Sequence, residues 1–231
     1  MKLVRRHWVD EALDRLRFRL DTWPSMAYQP LPWLGIHTAR RAVGVESRWR
    51  VIEEALEGRD VRTGLDLGCN AGYFTIQLAR RGITTIGVES DPRFVRILRF
   101  GAKRLALPDV GCLDVTVSPT TASLLPPADV VLFLSLWHHL VRYHGLDGAT
   151  DVLREVWART GHVLFFETGQ QEMPARYRLP DMSPDPKVYL EKYLAGQCPG
   201  GQVEHLGLHS AFTPEREPCQ RNLFAVVRER T

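Results

Sequence analysis

The stretch "GLDLGCNAGYFT", residues 64–75, decides the fold class of this chain. A short apolar run leads into a turn that holds Gly68 and Gly72, and a segment with helical periodicity, "YFTIQLARRG", follows. Glycines at such a turn let the backbone bend sharply and let a ligand approach the main chain. The stretch therefore predicts a strand, a tight loop and a helix, with a ligand site at the loop.

The same alternation of apolar runs and helical segments extends from Val61 to Glu167. The runs "TGLDLG", "TTIGVE", "VGCLDVTV", "DVVLFLS" and "HVLFFET" are typical of strands, and helical periodicity fills the intervals. This alternation predicts an α/β fold, a doubly wound and mostly parallel sheet with helices on both faces. The uninterrupted apolar run from Val130 to Leu134 fits, because strands of such a sheet are buried on both faces. Two more strand-like runs, "QVEHLGL" and "NLFAVVRE", follow a helix near residues 185–195.

The chain divides into two predicted parts. Residues 1–44 contain a helix with an apolar stripe from Val9 to Trp23, followed by a loop punctuated by prolines. Residues 45–231 form the Rossmann-like α/β domain, which begins with a helix at Val45 and includes a polar insert at about 168–200.

Composition limits the class of protein. The 231 residues suffice for one domain with a full core, and the net charge is only +3. Arginines crowd the first fifth of the chain, but a nucleic-acid face carries a larger overall excess, so a solvated helix surface is favoured. No apolar run approaches the roughly eighteen residues that span a bilayer. The four cysteines are scattered without a CxxC pair. A reduced, cytoplasmic protein without a membrane partner is expected.

Two carboxylates accompany the glycine loop. Asp66 lies just before it, and Glu89 ends the next strand about twenty residues on, where a ribose diol would be held. A nicotinamide-binding turn has the spacing G-x-G-x-x-G, whereas three residues separate Gly68 from Gly72 here. A carboxylate at this turn would repel a pyrophosphate but suits an ammonium or sulfonium group. The chemistry favours S-adenosylmethionine and disfavours a dehydrogenase.

The motif Asp66-Leu-Gly-Cys-Asn-Ala-Gly72, with Glu89, resembles the first two motifs of the class I S-adenosylmethionine-dependent methyltransferases. By motif order the resemblance covers about residues 45–167. It implies a seven-stranded sheet whose last strand is antiparallel, and an N-terminal helical cap over the acceptor pocket. The cofactor-binding residues that we predict from this match are Asp66, Gly68, Cys69, Asn70, Gly72, Glu89, Ser90 and Ser135.

The resemblance also implies roles. Gly68 and Asn70 line the methionine part of the cofactor, Gly72 allows the tight turn, Glu89 binds the ribose hydroxyls and Asp66 organises the loop. The family often has an acidic or amide residue after the third strand that binds the adenine amino group. The corresponding segment, "DVTVSPTTASLL", offers only hydroxyl side chains after the strand, so the adenine-binding residue is not placed.

The segment "LSLWHHLVRYHG" follows the fourth predicted strand, so Ser135 lies beside the sulfonium while His138 and His139 open onto the acceptor. Three interpretations compete. A metal site needs three or four convergent ligands and adjacent histidines usually diverge, so no metal is predicted. A general base is better motivated, because histidine titrates near neutral pH and a hydroxyl acceptor must lose its proton. His139 is favoured over His138 for that role. The third interpretation is packing around a buried strand end.

The predicted acceptor contacts are Tyr28, Gln29, Trp137 and Glu167. The favoured function is methyl transfer from S-adenosylmethionine to an oxygen or nitrogen of a small-molecule acceptor, a metabolite or natural product. The alternative is an RNA methyltransferase acting on transfer RNA or an RNA end, since "LFLSLWHHLVRYHG" partly resembles the RNA-cap phosphate methyltransferases. A third hypothesis is a cofactor-binding protein without catalysis. The oligomeric state is left open.

Overall fold

The computed structural model describes residues 29–36, 44–215 and 217–228. Tyr28 and the predicted helix between Val9 and Trp23 lie outside the described residues. The N-terminal cap and the domain boundary at residue 44 therefore stay predictions.

The described chain forms a seven-stranded sheet with the order β3-β2-β1-β4-β5-β7-β6. The strands are β1 (Thr63–Leu67), β2 (Thr84–Glu89), β3 (Val110–Asp114), β4 (Ala128–Leu134), β5 (Thr160–Glu167), β6 (Gly201–Phe212) and β7 (Pro218–Arg228). The first five pair in parallel, and β7 is antiparallel to both β5 and β6. The predicted mostly parallel sheet with an antiparallel last strand is confirmed.

Helices cover both faces of this sheet. In the described residues they are α1 (Val45–Ala55), α2 (Tyr73–Arg80), α3 (Pro92–Arg104), α4 (Trp137–Ala158) and α5 (Pro186–Gln197). Along β4, Val131 and Phe133 belong to the core shared with α4 and α5, whereas Val130 and Leu132 belong to the core shared with α1 and α2. This is the two-residue period of a strand buried on both faces. The doubly wound α/β fold is therefore confirmed.

The strand order reverses at β1. The chain leaves β1 to build β2 and β3 on one side, then returns to build β4 on the other. In open α/β sheets a crevice opens outside the carboxyl ends of the strands at this reversal. Leu67 ends β1 and Leu134 ends β4 there, so the glycine loop and the histidine segment lie next to each other.

Helix α4 differs from its prediction. The periodicity predicts a helix only over about residues 148–161, but α4 begins at Trp137 and contains a break at Gly145 (φ 71°, ψ 174°). The part before the break has no side-chain cap at Leu136, so the sequence carries no start signal for it. The consequence is that His138 and His139 lie in the first turn of a helix.

The predicted insert divides in two. Its second half contains α5, whose Leu190 and Leu194 are buried in the core of the domain. Its first half contains a single 3-10 turn, Ala175–Tyr177, and lies over the strand ends. None of the helices in the described part of the chain is long and apolar enough to cross a membrane.

Candidate active site

A cavity of about 810 Å³ lies at the carboxyl ends of β1, β2 and β4. That volume is typical of sites for small organic ligands and cofactors. Gln29, His138 and His139 line it. So do six of the eight predicted cofactor residues: Asp66, Gly68, Asn70, Glu89, Ser90 and Ser135.

The glycine loop is held in a left-handed backbone conformation by its neighbours. Gly68, Asn70 and Gly72 have φ values of 65°, 53° and 85°. The Glu89 carboxylate accepts the Asn70 N–H at 2.9 Å through Oε2, and its Oε1 accepts the N–H groups of the next two residues at 2.8 Å. A carboxylate has about four lone-pair positions, so Glu89 can also accept hydrogen bonds from a ligand.

Asp66 lies at the floor of the cavity. Its carboxyl group is buried, and the Thr75 hydroxyl donates to Oδ2 at 2.7 Å. Burial raises the pKa of Asp66 to about 7, with a contribution from the nearby Glu89, while the hydrogen bonds from Thr75 act in the opposite direction. Asp66 therefore takes up or releases a proton near neutral pH, and a cation bound beside it would favour the ionised form.

Cys69 and Gly72 do not line the cavity, and Gly72 has the positive φ, 85°, of a tight turn. The Cys69 side chain turns into the core, where its Sγ lies 2.8 Å from the position that a Cβ on Gly87 would take. Gly72 packs on α3, and a Cβ there would lie 2.4 Å from Leu98 Cδ1. Both residues pack against the core beneath the glycine loop.

Trp137 is a core residue, not the predicted acceptor contact. It is fully buried, its Nε1 donates to the Tyr193 hydroxyl at 3.1 Å, and its ring packs edge-on against Phe166. Successive residues of a helix point about 100° apart, since one turn takes 3.6 residues. When His138 and His139 face the cavity, Trp137 consequently faces the sheet.

Glu167 was predicted to contact the acceptor. It ends β5 but does not line the cavity. It is fully buried and pairs with Arg48 and, at 3.5 Å, with Arg221. The Ser135 hydroxyl donates to its carboxylate at 3.1 Å. Burial acts to raise the pKa of Glu167, but Arg48, Arg221 and Ser135 outweigh it and hold the pKa below its usual value. Glu167 is thus an ionised counterion beneath the cavity wall.

Arg48 and Arg221 both line the cavity, and the sequence analysis missed them. Arg48 projects from α1, and Arg221, on β7, also pairs with Glu172 at 2.8 Å. An arginine on an amphipathic helix is ordinarily solvated. Arg48 and its partner Glu167 are 119 residues apart in the sequence, so no local pattern indicates that they meet.

The two histidines differ in their surroundings. His138 is buried, and its Nδ1 accepts the Gly169 N–H at 2.9 Å. Burial, then His139 and Arg221, lower its pKa well below the ordinary histidine value. The His139 ring has no hydrogen-bond partner among the described residues, and burial, Arg142 and Arg221 lower its pKa. Both rings are therefore neutral near pH 7.

The first half of the insert contributes to the wall at this end of the cavity. Met173 and Tyr177 line it, and the Tyr177 ring lies 5.6 Å from the His139 ring between centroids. The Arg142 guanidinium lies 5.1 Å from the Tyr177 centroid. Across residues 29–36, 44–215 and 217–228, no three His, Cys, Asp or Glu side chains are grouped to hold a metal ion.

Comparison with known proteins relates this chain to methyltransferases. Residues 65–165 match the family model described as a methyltransferase domain. The chain is 27% identical over 174 residues to the O-antigen chain terminator bifunctional methyltransferase/kinase WbdD of Escherichia coli, covering 72% of this chain and 22% of WbdD. It is 34% identical over 93 residues to the 23S rRNA (uracil(1939)-C(5))-methyltransferase RlmD of Stenotrophomonas maltophilia, covering 40% of this chain and 20% of RlmD. The chain thus spans about a fifth of the length of these relatives.

Solved structures show the same fold. WbdD superposes with a TM-score of 0.71 at 22% identity, covering 92% of this chain and 46% of WbdD. Magnesium protoporphyrin IX methyltransferase (ChlM) from Synechocystis PCC 6803, with bound S-adenosylmethionine, superposes with a TM-score of 0.58 at 15% identity, covering 80% of this chain and 78% of ChlM.

Residues 65–165 match a methyltransferase domain, and the chain has the fold of the class I S-adenosylmethionine-dependent methyltransferases. The fold, enzyme class and cofactor predicted from the glycine loop are confirmed.

The cavity of this methyltransferase domain fits its cofactor. Asn70 Oδ1 is enclosed and has no hydrogen-bond partner within the described ranges, so it has a free lone pair for an N–H donor such as an ammonium group. Asp66 offers a carboxylate close by. Beyond Glu89 the cavity extends to Val115, Thr116 and Val117, after β3, where the sequence offered no acidic or amide residue for the adenine.

Proposed function

We propose that this methyltransferase domain transfers a methyl group from S-adenosylmethionine to an oxygen or nitrogen of a small-molecule acceptor, with His139 as the general base. One observation carries the proposal: the neutral, unpaired ring of His139 and the glycine loop line the same cavity.

The cofactor half of the cavity is assigned to the loop residues. S-adenosylmethionine, when bound, supplies a methyl group that its sulfonium has already activated. Asp66 and Asn70 would hold its methionine part, and Glu89 its ribose hydroxyls. Val115 and Val117 would contact the adenine through apolar surface. The contribution of these residues is alignment, which can supply much of the rate of a bimolecular reaction.

The acceptor half contains His139. A hydroxyl acceptor must lose its proton as it attacks, and a neutral imidazole within reach can take it. Burial and the two nearby arginines keep the pKa of His139 low, so the ring is in the proton-accepting form at neutral pH. A base held in this form need not first release a proton to solvent.

Met173 and Tyr177 support a small acceptor, because their side chains add to the cavity wall beside His139. The likeness to RlmD keeps RNA as the alternative, and the name of WbdD adds the end of an O-antigen chain to the acceptors worth testing. The four cysteines are unpaired, which supports the proposed cytoplasmic location.

The test has two stages. Calorimetry measures S-adenosylmethionine binding, and transfer of a labelled methyl group is then followed on separate panels of metabolites, saccharides and RNA. His139→Ala should keep cofactor binding and lower turnover by about 10²–10⁴-fold. His162→Ala, a partly exposed histidine near the start of β5 at the opposite end of the sheet, is the matched control and should leave turnover unchanged. Methylation of RNA alone would overturn the small-molecule proposal, and unchanged turnover in His139→Ala would remove the base.

A further inference from the structure

We propose that the adjacent histidines have different and complementary roles: His138 is a fixed Nε2–H hydrogen-bond donor to the acceptor, and His139 is the base. The acceptor that fits this pair carries a second oxygen beside the hydroxyl to be methylated, as in a vicinal diol, a catechol or an α-hydroxy carbonyl compound. This inference rests on the proposed function and narrows its substrate class.

The tautomer of His138 follows from a backbone hydrogen bond. The Gly169 N–H is a donor and cannot accept, so His138 Nδ1, 2.9 Å away, must present its lone pair. The Thr168 hydroxyl lies 3.2 Å from the same Nδ1 and accepts the His138 backbone N–H, which leaves its own hydrogen free to donate to Nδ1. Because the ring is neutral, its single N–H is on Nε2.

The His138 ring cannot flip without losing the hydrogen bond from the Gly169 N–H. Gly169 packs directly against it, since a Cβ on Gly169 would lie 3.2 Å from His138 Cγ and 2.5 Å from Met173 Cγ. The Tyr177 ring closes another side, 5.7 Å from the His138 ring between centroids. A ring flip would place the Cδ2–H against the Gly169 N–H and leave that N–H without a partner in a buried position, which is costly.

The Nε2–H of His138 is available to a ligand. His138 lines the cavity, and Nε2 has no hydrogen-bond partner in the described part of the chain. It is not among the enclosed, unpartnered polar atoms of those residues, which are Trp33 Nε1, Asn70 Oδ1 and Gln170 Nε2. The donor is therefore accessible at the cavity surface and needs an oxygen or nitrogen lone pair to bind.

His138 is consequently a poor general base and His139 a suitable one. To accept a proton, His138 would have to use Nδ1 and break the bond from Gly169, whereas no backbone group fixes the tautomer of His139 in the described residues. The two ring centroids lie 4.3 Å apart. Two oxygens on neighbouring carbons can then meet both rings, one accepting from His138 and the other giving its proton to His139. The hydrogen bond from His138 holds the second oxygen and thereby orients the attacking oxygen beside it.

Two variants of His138 separate the donor from the anchor. His138→Asn places an oxygen near the position of Nδ1, so it keeps the bond from Gly169 and loses the donor in the cavity. His138→Gln places an amide N–H near the position of Nε2, so it keeps the donor. The probes are catechol with phenol, and a methyl glycoside with its deoxy analogue; each pair differs by one oxygen.

The expected result is a change in selectivity. The wild type should prefer the paired-oxygen member of a probe pair by on the order of ten- to a hundredfold in kcat/KM, the cost of leaving a buried donor unpaired. His138→Asn should remove that preference chiefly by raising KM, and His138→Gln should retain most of it. A wild type that methylates both members equally would overturn the acceptor class.

A nuclear magnetic resonance measurement tests the tautomer independently of activity. Protein with isotope-labelled histidine, saturated with S-adenosylhomocysteine, should show His138 protonated at Nε2 alone, with the signal assigned from the His138→Asn spectrum. Protonation at Nδ1 would overturn the proposed donor. A third outcome separates the two proposals: Nε2 carries the proton and S-adenosylmethionine binds, but no acceptor is methylated. That result would overturn the proposed function and the acceptor class, and it would leave the tautomer of His138 confirmed.

Discussion

The Thr75 hydroxyl donates a 2.7 Å hydrogen bond to the buried carboxyl group of Asp66 at the floor of the cavity. This bond is too weak to offset burial, and the pKa of Asp66 rises to about 7. The Asp66 carboxylate, which would bind a cationic ligand, therefore destabilises the ligand-free protein. Such a conflict between function and stability is common at functional sites.

Asp66→Asn should therefore stabilise the ligand-free protein and abolish cofactor binding. Below pH 3.8, the ordinary pKa of an aspartate, Asp66 is protonated in both the folded and the unfolded state. Between pH 3.8 and about 7 the folded state binds more protons than the unfolded state, so the stability falls as the pH rises. The Tm gain of Asp66→Asn should consequently be larger at pH 8 than at pH 5. Scanning calorimetry at both pH values checks this, with the exposed Asp151→Asn as control. Equal gains at the two pH values would contradict the assignment.

The acceptor kcat/KM should fall on acidification through the pKa of His139, which burial, Arg142 and Arg221 hold below the ordinary 6.5. Above that pKa the ring is neutral and the rate should be level. The cofactor must be saturating, because Asp66 weakens its binding below about pH 7. Arg142→Gln removes a positive neighbour and should move the midpoint to higher pH. The exposed Arg154→Gln should not, and a midpoint above 6.5 in the wild type would count against His139.

Glu167→Ala should destabilise the fold by about 3–5 kcal/mol, because it leaves two buried guanidinium groups, Arg48 and Arg221, without their shared counterion. Urea unfolding measures the loss. The matched control is Asp151→Ala, which removes an exposed pair with Arg154 and should cost roughly 0–1 kcal/mol. Similar losses in the two variants would mean that the buried pair adds nothing beyond an exposed one.

Gly72→Ala should cost more stability than Gly82→Ala. Both glycines have positive φ, 85° and 80°, so alanine is strained by about 1–2 kcal/mol at either position. Gly82 has open space around it, whereas a Cβ on Gly72 would meet Leu98 Cδ1 at 2.4 Å. The excess cost should shrink when Leu98→Ala is added in a double-mutant cycle. A cycle without coupling would place the strain elsewhere.

Much of the fold and half of the site follow from local patterns. Strand β4 was predictable because its apolar run is long enough to bury both faces, and the loop from Gly68 to Gly72 because glycine marks a left-handed turn. Asp66 and Glu89 were predictable because each lies at or near the carboxyl end of its strand. The start of α4 at Trp137 was not, since no capping residue precedes it.

The sequence by itself determined the α/β sheet, the glycine loop and the cofactor class, because each depends on residues close together in the chain. Only the tertiary structure decided that Glu167 is a buried counterion, that Arg48 and Arg221 line the cavity, and that His138 is anchored at Nδ1. Those facts depend on pairs such as His138 with Gly169, 31 residues apart, and Arg48 with Glu167, 119 apart. Burial shifts the pKa values and the Gly169 hydrogen bond sets the tautomer, and both exist only once distant segments have packed.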